Sequence, residues 1–272
     1  MKNKKLYLGD SHKAKRKWIQ KDKNAKSAKK AASQNFKNAK EFWDSEYRVG
    51  GENFTLSDAP SSDLVKFTRW LDRQYEGQNV INKNFYFVDA GCGNGRNAIF
   101  LAENFGAKGI GYDISSEAVK SAENKVKLLL RAGTSVNVEF IVQNLNQEIP
   151  AASYSVDLVI DAVASHVLKD NERQFFKQEV LRVLTTGSYY FLKSLLLDDD
   201  KHAKDMINKY GDGQSSYTHP TMGIYEYVPT ESELVSFYEK DFHIDKIERS
   251  FAHKVRGRAN KRRYIVMYLR KK

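Results

Sequence analysis

The stretch FVDAGCGNGRNA, Phe87 to Ala98, sets glycines at three alternate positions directly behind an apolar, aromatic run. Its flanks identify the turn. NFYFVDA (84–90) is β-branched and aromatic, as a buried strand is, whereas NAIFLAENFGA (97–107) carries apolar residues at helical spacing until Gly106 stops it. The stretch reads as strand, glycine loop and helix. A loop without side chains lets its backbone approach a ligand, and the free N–H groups at the start of the following helix favour negative charge. The spacing G-x-G-x-G, with Arg96 in the next place, fits a dinucleotide fingerprint poorly. No Gly-Lys-Ser/Thr follows to make a phosphate-binding P-loop.

The next strand, AKGIGYDIS (107–115), ends on Asp113, about 20 residues past the glycines, where a ribose-binding carboxylate is expected in a doubly wound sheet. Ser115 or Ser116 then caps a helix whose apolar positions are Ala118, Val119, Ala122, Val126, Leu129 and Leu130, and Gly133 stops it. With VDAGCGNG and GYDIS in this order, the chain resembles the class I S-adenosylmethionine-dependent methyltransferases. VEFIVQNLNQEIP (138–150) resembles their third segment, and SVDLVIDAVASHVL (155–168) their fourth.

The resemblance implies S-adenosyl-L-methionine as cofactor. It also implies a Rossmann-like seven-stranded, mainly parallel α/β sheet with helices on both faces and one antiparallel C-terminal strand. The cofactor-binding residues it marks are Asp89, Gly91, Gly93, Gly95, Asp113, Ile114, Asn144, Leu145 and Asp161. Asn144 stands where the family usually has an Asp that holds the adenine amine; its amide oxygen still accepts, without the charge. The arrangement FWDSEY (42–47), PSSDL (60–64) and GCGNGRNAIFLAENFGA (91–107) resembles the tellurite-resistance and thiopurine methyltransferase-like branch, which implies a small-molecule acceptor.

Methyl transfer from a sulfonium demands positioning and exclusion of water, with a general base only where the acceptor must lose a proton. His166 and Tyr225 are the catalytic candidates. His166 follows a strand at the carboxyl edge of the sheet and reads either as a base or as a structural histidine at a helix entrance. Tyr225 belongs, with Tyr217, His219 and Glu226, to a long segment rich in Gly, Ser, Tyr and His; residues 198–228 read either as a substrate lid or as an ordered loop. Cys92, between two loop glycines, reads as packing, and no Pro-Cys pair supplies a thiolate for pyrimidine C5 methylation. DAVA (161–164) lacks the Asn/Asp-Pro-Pro-aromatic pattern of amino-methylating adenine enzymes. Six histidines without paired ligand spacing point to no metal.

Charge is unevenly placed. Residues 1–40 hold 14 Lys/Arg against 2 Asp/Glu and residues 246–272 hold 11 against 1, while residues 41–245 hold 20 against 31. Residues 1–35 therefore read as a basic, disordered arm ahead of a methyltransferase domain over 36–272. The arm and the C-terminal hairpin leave a second reading open, an RNA methyltransferase, and a third is a non-catalytic cofactor-binding module. One cysteine, no apolar run of membrane-spanning length and no secretory signal predict a cytoplasmic protein.

Overall fold

The apolar run and the helical pattern around the glycine loop form the centre of a repeated strand-helix unit. A computed structural model describes residues 38–51, 56–251 and 262–272; the basic arm and the tip of the C-terminal hairpin lie outside these. In chain order the elements are α1 (Ala39–Val49), α2 (Ser62–Gln74), β1 (Tyr86–Ala90), α3 (Arg96–Phe105), β2 (Lys108–Asp113), α4 (Ser116–Arg131), β3 (Asn137–Val142) and β4 (Val156–Ala162). Then follow α5 (Asp170–Val183), β5 (Leu184–Leu195), α6 (Lys201–Tyr210), β6 (Ser216–Thr218), β7 (Tyr225–Tyr227), α7 (Glu231–Tyr238), β8 (Phe242–Phe251) and β9 (Arg263–Lys271). Seven strands form one sheet in the order β3-β2-β1-β4-β5-β9-β8. β9 runs antiparallel between β5 and β8; the other neighbours pair in parallel. This is the Rossmann-like arrangement with one antiparallel C-terminal strand.

Alternation along the strands divides the core between the two faces of the sheet. Val88, Val159, Tyr190 and Leu192 pack with Phe176 and Val180 of α5 and Leu234 of α7, whereas Phe87, Leu158 and Phe191 pack with Leu64 and Phe67 of α2 and Leu101 of α3. Phe67 is fully buried and meets the rings of Tyr189, Phe191 and Tyr268 at 4.8–5.7 Å between centroids. Phe67→Ala is expected to cost about 3–5 kcal/mol in chemical unfolding, the range for emptying a buried aromatic site. In α4, Ala118, Val119 and Ala122 are buried as the helical pattern predicts, but Leu130 is 52% exposed, because it falls at the margin of the apolar stripe, one residue before the helix ends at Arg131.

The order reverses at β1, whose neighbours β2 and β4 lead off in opposite directions across the sheet. Ligands of open α/β sheets bind outside the carboxyl ends of the strands at such a switch point. The glycine loop, Asp113, Asn144 and the β4 turn all emerge at that edge.

Candidate active site

The loop after β1 folds back on its own protein. Gly93 has φ +55°, and a Cβ there would meet the Tyr47 hydroxyl; Gly95, the N-cap of α3, has φ +76°, and its Cβ would fall 2.6 Å from the Phe140 ring and 2.8 Å from Ala122. The glycines are thus required by a left-handed backbone and by close approach of α1, α4 and β3. Asp113, at the end of β2, fastens the loop: one carboxylate oxygen accepts from the Gly93 N–H and the other from the Ser115 N–H, both at 2.9 Å. Burial raises its pKa, and those two N–H groups oppose the rise. Each oxygen keeps a lone pair for a further donor.

A cavity of about 310 Å³ lies over this loop. Trp43 and Tyr47 of α1 close one side, and Ile114 and Leu145 give it apolar surface. α1 is seated on the start of α4, where Asp44 accepts from the Ser115 hydroxyl at 2.8 Å and the Glu117 N–H at 3.3 Å. Asp44→Ala removes this seat. Its expected effects are a stability loss of about 1 kcal/mol, typical of a helix cap, and faster release of a bound nucleoside in stopped-flow fluorescence of Trp43.

The fourth segment builds the opposite wall. Val163 has φ +67°, a left-handed backbone that β-branched residues rarely adopt. The turn is held by Asp161, which accepts from the Ala164 and Ser165 N–H groups at 2.9 and 3.1 Å and from the Tyr190 hydroxyl at 2.9 Å. The Val163 N–H donates to the Lys193 carbonyl at 2.8 Å. This turn places His166, on a short 3-10 turn over Ser165–Val167, in the cavity wall. Burial lowers the His166 pKa below its ordinary value; Glu226 opposes this and Arg262 adds to it.

Seven of the residues marked from the sequence line the cavity: Gly91, Gly93, Asp113, Ile114, Asn144, Leu145 and His166. Four stand elsewhere. Asp89 is fully buried beneath the loop, where burial raises its carboxyl to about 7, with only the charge of Arg96 and the Ala98 N–H in favour of ionisation. Gly95 faces Phe140 behind the loop. Asp161 is fully buried, with both oxygens engaged in the β4 turn. Tyr225 lies on β7 outside the cavity wall, because alternation turns its neighbour Glu226 inward instead.

Residues 198–228 contain α6 and the β6-β7 hairpin. Inside it, Glu226 accepts from the Tyr217 hydroxyl and from Arg262 Nη1 at 3.0 Å, and Arg262 also donates to the Tyr217 oxygen at 3.1 Å. Burial alone would raise the Glu226 carboxyl, but Arg262, His166 and Tyr217 hold it below the usual carboxylate value. Arg262, in the basic C-terminal hairpin, therefore points into the protein. Asp44, Trp43 and Tyr47 were signalled only by the aromatic helix FWDSEY. The pairing of Glu226 with Arg262 had no local signal. Cys92 is buried, which pushes its thiol up, away from the reactive thiolate.

Residues 87–187 match the family model described as a methyltransferase domain. A 109-residue segment is 30% identical to the ribosomal protein L11 methyltransferase of Chromobacterium violaceum, covering 36% of this chain and 32% of that protein. The chain thus spans about a third of the length of the curated relative it matches. Among solved structures, a SAM-dependent methyltransferase from Methanosarcina mazei is 25% identical, with a TM-score of 0.59 over 70% of this chain and 93% of that one. The magnesium protoporphyrin IX methyltransferase of Synechocystis, solved with bound SAH, is 17% identical with a TM-score of 0.55 over 86% of this chain and 95% of that one, and shows the shared fold. Residues 87–187 thus carry the likeness to a methyltransferase domain, on the fold that the chain shares with S-adenosylmethionine-dependent methyltransferases. No helix among the described residues is long and apolar enough to cross a membrane.

Proposed function

We propose that the chain transfers a methyl group from S-adenosylmethionine to a small-molecule acceptor in the cytoplasm, as the tellurite-resistance and thiopurine methyltransferase-like branch does. The observation that carries the reading is the cavity between the glycine loop and α1, closed by Trp43 and Tyr47 and bordered by a buried histidine. A roof of this kind suits a ligand taken up whole, since small-molecule sites bury most of their ligand. The single cysteine, buried and unpaired, supports a reducing compartment.

The residues fit the cofactor. Asp113 holds the ribose hydroxyls, Ile114 and Leu145 flank the adenine, Asn144 accepts from its amine, and the loop from Gly91 to Gly93 borders the amino-acid end. Asp161 holds the β4 turn from beneath, and Asp89 is buried under the loop. When bound, S-adenosylmethionine supplies a methyl group activated by positive sulfur. His166, neutral at pH 7 because burial depresses its pKa, takes the proton that the acceptor loses.

The test uses the full chain with methyl-tritiated S-adenosylmethionine and two fractions of a bacterial lysate, the ultrafiltered small molecules and the purified RNA. Label is expected in the small-molecule fraction. Label recovered in RNA alone would establish the RNA reading instead.

A further inference from the structure

Beyond Asp113, counted along the sheet toward β3, the cavity over the glycine loop is walled by two segments. Asn144 and Leu145 follow β3, and Leu168 and Glu172 stand at the entrance to α5. A side chain joins the two segments: the Asn146 amide donates to Glu172 Oε1 at 2.9 Å. The other carboxylate oxygen, Oε2, accepts from the Lys169 N–H at 2.9 Å.

Helix capping explains the second of these bonds, since a Glu at the third helical position commonly reaches back to the N–H ahead of the helix. It does not explain the first, nor why a half-buried carboxylate borders the cavity. A carboxylate offers about four acceptor sites, so about two remain after these donors. The cation one residue on, Arg173, is engaged by Asp170 at 3.1 Å and by the Leu168 carbonyl at 2.6 Å. Asn144 is neutral, and its Oδ1 accepts from the Asn146 N–H at 3.4 Å within its own turn. Glu172 is therefore the acid of this part of the wall, set between the apolar side chains of Leu145 and Leu168. A planar ring that carries an exocyclic N–H donor suits these groups. A ring carbonyl in the same place would set acceptor against acceptor and leave both unpaired.

We infer that Glu172 determines specificity for the cofactor base: beside Asn144 it accepts a hydrogen bond from the adenine amine, and it supplies there the negative charge that Asn144 lacks. The inference rests on the cofactor placement proposed above.

The probes are S-adenosylhomocysteine and its deaminated analogue S-inosylhomocysteine, titrated by calorimetry into the full chain and into Glu172→Gln. Glutamine also serves at this position of a helix start, so the variant keeps the cap, and an unchanged melting temperature checks it. The wild type is expected to prefer the adenosyl ligand by about tenfold or more. Glu172→Gln is expected to lose about five- to tenfold in affinity for the adenosyl ligand, the difference between a charged and a neutral acceptor. It should bind the inosyl ligand no more weakly than the wild type, because the amide can turn its N–H₂ toward the carbonyl. The readout is a ratio of two affinities on one protein, so a loosened site that weakens both ligands alike does not imitate the result. A ratio in Glu172→Gln equal to that of the wild type overturns the role of Glu172. Equal affinity of the wild type for the two ligands overturns it as well. If the wild type binds neither, the cofactor reading falls, and the inference with it.

Discussion

Asp113→Ala lowers affinity for S-adenosylmethionine by about 10²–10⁴-fold in calorimetric titration. The estimate takes two hydrogen bonds from the ribose hydroxyls to one carboxylate at about 1.5–3 kcal/mol each, with a tenfold change per 1.4 kcal/mol. The same carboxylate fastens the Gly93 and Ser115 N–H groups at 2.9 Å, so the variant also loosens the loop. Asp113→Asn separates the two effects. It keeps one acceptor oxygen for the loop and removes the charge, and it should fall between wild type and alanine in affinity. Equal cofactor affinity in wild type and Asp113→Ala would remove the ribose assignment.

His166→Ala lowers turnover by about 10²–10⁴-fold, the range for a lost general base, with cofactor affinity unchanged within a factor of a few. The pH dependence follows from the depressed pKa. The neutral ring is the base, so the wild-type rate is flat above the ordinary value of 6.5 and falls as pH drops through the folded value below it. The same shift enters stability. Between the two values the unfolded chain binds the proton more readily, so the stabilisation present above pH 6.5 is lost as pH falls through the folded value. His166→Ala should flatten both profiles on the acid side. A variant with a normal rate but a lowered melting temperature would make His166 a packing residue.

Legibility in the sequence followed the range of the interactions involved. The glycine loop, Asp113 and the Ser115 cap were readable because strand, turn and helix signals act within a few residues, and the spacing from the glycines to Asp113 reports one β-α-β unit. The seven-stranded sheet with its antiparallel C-terminal strand came from the resemblance, and the alternation of strands and helices agrees with it. Orientation across the sheet was not. Asp161 stands one residue after the buried Ile160 and could have faced the ligand, but the left-handed Val163 folds the Ala164 and Ser165 N–H groups back onto it. Tyr225 and Glu226 are neighbours whose facing depends on the register with β6, and pairing of Tyr217 with Glu226 decides it. Arg262 looked like one more surface charge in a basic terminus, yet its partners Glu226 and Tyr217 are 36 and 45 residues away in sequence. α1 was visible as an aromatic helix, but its position over the glycine loop depends on Asp44 reaching the start of α4, 71 residues on.

The central claim is that the cavity between the glycine loop and α1 holds the methyl donor with its sulfur turned toward His166. A crystal structure of the chain with S-adenosylhomocysteine tests it most directly. The account predicts the ribose hydroxyls on the Asp113 carboxylate, the adenine between Ile114 and Leu145, and the sulfur facing His166. A nucleoside bound elsewhere, or a cavity that stays empty at saturating S-adenosylhomocysteine, would contradict it.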